Sequence, residues 1–121
     1  MVRRLAAVAL FAALAAAPAA ANEPGKVAYL PVLCLSEKPL RAASEAMETG
    51  DREQQRTVLM GAYRNGTCLA LRHPTRVRLV EHVRTFDTPK SGPREMWQVE
   101  LVTGATAFGL IPVAEDGGRD L

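Results

Sequence analysis

Two cysteines, two histidines and a run of arginines carry most of the chemical potential of this 121-residue sequence. Cys34 and Cys68 are the only thiols, and they lack the C-x-x-C spacing of a redox pair or thiolate metal site. In an oxidising compartment such a pair is expected to form one disulfide. The enclosed loop would contribute about 3 to 4 kcal/mol through chain entropy. That is a sizeable share of a typical net stability of about 5 to 15 kcal/mol. His73 precedes Pro74, and His82 falls on the polar side of an alternating segment. Neither has carboxylates or thiolates at metal-ligand spacing, so no metal is expected. Ser36, Ser44 and Ser91 sit in no nucleophile-elbow context, and Glu45 and Glu48 are spaced for i,i+4 pairs with Arg41 and Arg52. Catalysis needs a positioned acid, base or nucleophile with a tuning partner. The sequence supplies none, so no catalytic residue, no cofactor and no enzymatic activity are expected.

The arginines are better placed for binding. Alternation puts Arg76, Arg78 and Arg84 on one strand face with His82, and Arg72 stands close by. Guanidinium groups fork onto phosphate or carboxylate, so the expected partners are an envelope protein or an anionic lipid or cell-wall group. A purely structural role is the alternative, because Gln98 and Glu100 occupy the corresponding face of the next strand and can pair across it. Nucleic acid is not an expected partner, since no aromatic side chain interleaves the arginines.

These side chains are set behind an export-type leader. Residues 1–21 hold 18 apolar side chains behind Arg3 and Arg4, and the unbroken run from Leu5 to Ala17 ends at Pro18. Ala19-Ala20-Ala21 supplies small residues for signal peptidase, so a cleaved signal over 1–21 and a mature chain from Asn22 are expected. The 13-residue run is shorter than the roughly 20 residues that span a bilayer as a helix. No membrane span is expected after cleavage, and the location is secreted or periplasmic. Removing Arg3 and Arg4 from the 15 basic side chains leaves 13, equal to the 13 acidic ones. The mature chain is therefore formally neutral, which argues against a generally polyanion-seeking surface.

The 100 residues that remain have 40 apolar side chains, enough for one small domain. Residues 22–35 read as a mobile lead-in over Asn22–Lys26 and a short buried extended segment, Val27–Leu35, which Pro31 keeps from being a fully hydrogen-bonded central strand. Residues 36–112 read as one α+β domain. Ser36 can cap a helix with Pro39 in its first turn and Leu40, Ala43 and Met47 on one face. Gly50 offers a left-handed stop, and Asp51 can cap a second helix with the apolar stripe Val58, Leu59, Ala62 and Tyr63. The two form a helical hairpin or one bent helix. A strand from Thr75 to Arg84 has Val77, Leu79 and Val83 inward. Glu81 breaks that alternation, so either a bulge re-aims it and turns Val80 inward or it is a buried carboxylate with a partner. A loop is expected over Thr85–Arg94. A hairpin follows, with Trp97, Val99 and Leu101 on one face and a turn at Thr103-Gly104. Residues 113–121 are expected to be a flexible tail.

Trp97, Val99, Gly104 and Phe108 stand in the order Trp, Val two residues on, Gly turn, aromatic. In this the stretch from about 75 to 111 resembles the end of bacterial Src-homology-3-like domains. The resemblance implies a small barrel; it leaves the helices of 36–64 without a counterpart, and Phe108 followed by Gly109 departs from the family's usual Gly before Trp. The expected fold is therefore α+β, an N-terminal helical hairpin followed by a small antiparallel sheet or Src-homology-3-like barrel. The expected role is a non-enzymatic interaction module that uses the arginine face and the Thr85–Arg94 segment. The alternative is a structural accessory subunit docking through the Met47 and Leu59 helix face into an envelope complex.

Overall fold

The computed structural model describes residues 22–113. The leader expected over 1–21 and the tail beyond Val113 lie outside the described residues. In chain order the elements are β1 (Val27–Cys34), α1 (Glu37–Thr49), α2 (Arg52–Arg64), β2 (Cys68–Thr88), β3 (Gly92–Leu101) and β4 (Thr106–Pro112). Two helices and a four-stranded antiparallel sheet make the fold α+β. The helices do not simply precede the sheet, because β1 is itself one of its strands and they are inserted between β1 and β2.

The helical insertion follows its capping signals. The Ser36 side chain accepts from the Lys38 N–H at the start of α1, and Gly50 closes it at φ 78°, donating to Ala46 and Met47 carbonyls. One residue later Asp51 accepts from the Gln54 N–H and starts α2. The positive φ at Gly50 turns the chain sharply, so these are two helices and not one bent one.

All neighbouring strands run antiparallel, in the order β1-β2-β3-β4. The first half of β2 pairs with β1 and its second half with β3, while Cys34 of β1 also meets Phe108 of β4. Each strand thus has a neighbour on both sides, with β1 and β4 meeting at that one pair. Pro31, which cannot donate to a ladder, lies where the β1–β2 register breaks between Leu30 and Val32. On the β2 side of that break Leu71 to Pro74 intervene between Ala70 and Thr75, so His73 stands exposed on an irregular stretch.

Three sequence expectations are corrected. The segment Thr85–Arg94 is not a loop: β2 runs to Thr88, β3 begins at Gly92, and only residues 89–91 turn. Backbone pairing from Thr85↔Glu95 to Thr88↔Gly92 outweighs the turn-forming Pro and Gly. Asn22–Lys26 is tied down, since the Gly25 N–H donates to Leu79 O at 2.8 Å and Leu79 N–H returns to Lys26 O at 2.9 Å. At Glu81 a bulge does occur, but Val80 is the extra residue and remains 41% exposed, with Glu81 also outside.

The core has two parts. Leu30, Leu33, Val77, Leu79, Trp97, Val99, Ala107 and Ile111 pack together within the sheet. Leu40, Ala62, Met96 and the two cysteines fill the space between sheet and helices, flanked by Tyr63 and Phe108. Gly109 is buried opposite Trp97, where an added Cβ would overlap the Leu30 side chain.

Candidate functional site

The disulfide is present: Cys34 and Cys68 face each other in the β1–β2 ladder and are bonded. Because Cys34 lies two residues before the α1 cap and Cys68 four after the α2 terminus, the bridge closes the neck of the helical insertion.

The arginine stripe is divided by two bulges in β2. Val77 and Leu79 point into the core, which leaves Arg76 and Arg78 outside and exposed. Arg78 approaches Glu100 at 3.9 Å, the cross-strand pairing its register allows, but both side chains are well solvated and the contact is weak. The extra residue Val80 then shifts the alternation, so His82 lies opposite Trp97 and packs edge-on against its ring at 5.6 Å. His82 Nε2 also meets Thr85 Oγ1 at 2.8 Å. A second extra residue, Val83, shifts the pattern again and sets Arg84 opposite Met96, on the side covered by α1. There the Arg84 Nη1 donates to Ser44 Oγ at 3.0 Å and Nη2 pairs with Glu48 at 2.9 Å, with the guanidinium 5.2 Å from the Phe86 ring centre. Arg84 is thus a tie between β2 and α1, with its side chain 21% exposed. The expected helix-surface pairs are also rearranged: Arg41 bonds Glu37, and Glu48 turns to Arg84 instead of Arg52.

The helix residues singled out for docking separate as well. Leu40, Ala43 and Ala62 are buried against the sheet, Leu59 is half-buried, and Met47 faces a cleft.

That cleft, of about 460 Å³, lies between the α1–α2 corner and the tip of the β2–β3 hairpin. Its residues include Met47, Gly50, Arg52, Pro89, Lys90 and Arg94. The hairpin tip sits close to the corner, since a Cβ on Gly50 would lie 3.5 Å from Pro89 Cγ. Among the described residues, Arg52, Lys90 and Arg94 make no ion pair and no carboxylate lines the cleft. Sequence reasoning found half of this surface, the segment containing Lys90 and Arg94. It missed Arg52, whose proximity depends on how the helical corner packs on a hairpin that alternation did not reveal.

A second polar feature was missed entirely. Glu95 is 1% exposed, and its Oε1 accepts from the Trp97 indole N–H at 2.8 Å and from the Asn22 Nδ2 at 2.8 Å. Extending the inward alternation of Trp97 and Val99 two residues back would have placed Glu95 on the buried face. Among the described residues no three of His, Cys, Asp and Glu converge in a way that would hold a metal ion. No helix there is long and apolar enough to cross a membrane.

In comparisons with known proteins, no family model, no curated protein and no solved structure matches the chain.

Proposed function

We propose that the protein is an exported, non-enzymatic binding module, built on a Src-homology-3-like barrel with a helical insertion, that seats an acidic segment of an envelope protein. The carrying observation is the cleft in which Arg52, Lys90 and Arg94 line one opening with no carboxylate among the described residues that line it. Two of the three cations are arginines, whose planar forks suit carboxylates. Met47 and Pro89 contribute apolar surface, a mixture that fits a peptide better than a lone anion. The disulfide supports the exported location. The ring of strands and the places of Trp97, Val99, Gly104 and Phe108 support the barrel relationship.

The test is fluorescence anisotropy with a labelled Glu-rich peptide of about eight residues, at low and at physiological salt. Binding should weaken at least tenfold in Lys90→Glu/Arg94→Glu and remain within twofold in Arg76→Glu/Arg78→Glu, with circular dichroism unchanged in both. Absence of binding by the native protein, or equal binding by the cleft variant, overturns the proposal. Loss confined to the Arg76/Arg78 variant would move the site to the open strand face.

A further inference from the structure

Processing and folding meet at Glu95. Asn22 is the residue that the leader pattern places first in the mature chain, and it is also the residue held against this buried carboxylate. Its side-chain amide donates to Glu95 Oε1 at 2.8 Å, and its main-chain nitrogen stands 3.4 Å from the same oxygen. The oxygen is further fixed by the Trp97 indole N–H. Trp97 lies fully buried in the sheet core, so the carboxylate is anchored to that core.

We propose that Glu95 is the seat of the mature N-terminus: cleavage between Ala21 and Asn22 creates an ammonium at Asn22 that pairs with the Glu95 carboxylate and locks the N-terminal segment onto the sheet. The inference rests on the export reading above for the position of the cut. Signal peptidase hydrolysis consumes one water, breaks the Ala21–Asn22 amide bond, and leaves a carboxylate on Ala21 and an amine on Asn22 that takes up a proton. Before the cut, the nitrogen at 3.4 Å is an amide with one N–H. Afterwards it is a cation with three donors, in an environment where burial strengthens a charge-assisted bond.

Neighbouring contacts make the position specific. Gly25 and Lys26 are hydrogen-bonded to Leu79, so the chain from Asn22 into β1 has a defined path and little slack. One additional residue would displace the terminal nitrogen by up to about 3.6 Å, beyond direct contact with Oε1. On the opposite strand Thr85 pairs with Glu95 in the ladder, and His82 is engaged by Thr85. The pairing therefore requires cleavage at one peptide bond, and a cut one residue earlier leaves the ammonium misplaced.

The experiment uses the full chain, exported by a bacterial host and recovered from its periplasm, in four forms: native, Glu95→Gln, an insertion of one Gln between residues 21 and 22, too large for the position just before the cut and so left as a one-residue extension after cleavage, and both changes together. N-terminal sequencing first establishes each start. Thermal melts at neutral pH should then show each single change lowering Tm by about 10 °C. The combined form should fall no further than either alone, because both changes remove one interaction. Start at a residue other than Asn22 in the native protein overturns the cleavage site and the inference with it, while leaving the cleft proposal intact. A start at Asn22 with additive losses, or with an extended form within 2 °C of native, overturns the ammonium–carboxylate pair itself.

Discussion

Reducing the Cys34–Cys68 bond is expected to lower stability by nearly 4 kcal/mol, and the position of the bridge says where the loss appears. The two cysteines are 34 residues apart, and both helices lie inside the loop they close. Loop-closure entropy for that separation comes to roughly 13 cal/mol/K, or about 3.8 kcal/mol at 25 °C. With a urea dependence of about 1.5 to 2 kcal/mol/M for a chain of this size, the unfolding midpoint should fall by about 2 M. Reduction adds a hydrogen to each sulfur and deletes no side-chain atom, so it opens no large cavity beside Leu40, Ala62 and Met96. The assay is urea unfolding of oxidised protein and of protein held in a phosphine reductant, followed by far-ultraviolet circular dichroism for the helices and by fluorescence of Trp97, the single tryptophan, for the sheet core. In the reduced protein the helical signal should be lost first, since the sheet retains its ladders while the insertion loses the tie at its neck. A midpoint shift below about 0.5 M would refute the loop-entropy reasoning, and coincident shifts in both signals would refute its assignment to the helical insertion.

Two further substitutions probe the packing that positions the cleft and the core. Arg84→Met should cost about 1 to 2 kcal/mol in urea unfolding, because it breaks a partly exposed pair with Glu48 and leaves the buried Ser44 hydroxyl with a contact fewer. Its effect should be non-additive with Ser44→Ala, whereas additive losses would show that the two are not coupled. Gly109→Ala should cost about 1 to 3 kcal/mol by the same measurement, since the new Cβ meets the buried Leu30 side chain opposite Trp97.

Helix ends were legible because each is set by a local signal. Ser36, Gly50 and Asp51 carry their capping roles in their own chemistry, and the structure uses each one. The disulfide was legible for a similar reason, there being only two thiols to pair. Strand extents were not, because they depend on partners far along the chain: Thr85 to Thr88 join β2 only because Gly92 to Glu95 run back alongside them. The bulges are the deeper cause of error. Strict alternation carries a phase, and each extra residue inverts it. Val80 and Val83 invert it twice within four positions, so Arg76 and Arg84 regain the same outer side while His82, between the inversions, faces the Trp97 ring. Nothing local distinguishes these two valines from their inward neighbours Val77 and Leu79.

The division of polar groups follows from that geometry. A domain of this size has little apolar area to spare, so its buried polar side chains must be satisfied where they stand. Ser44 and Glu95 are the buried ones among the described residues, and each bridges separate elements, Ser44 between α1 and β2 and Glu95 between β3 and the N-terminal segment. Arg84 is drawn into the first of these ties. Arg52, Lys90 and Arg94 escape that fate because the helical corner and the hairpin tip approach each other through Gly50 and Pro89, leaving an opening beside that contact. Charge that ties elements together and charge that lines an opening are therefore separated by packing, not by residue type.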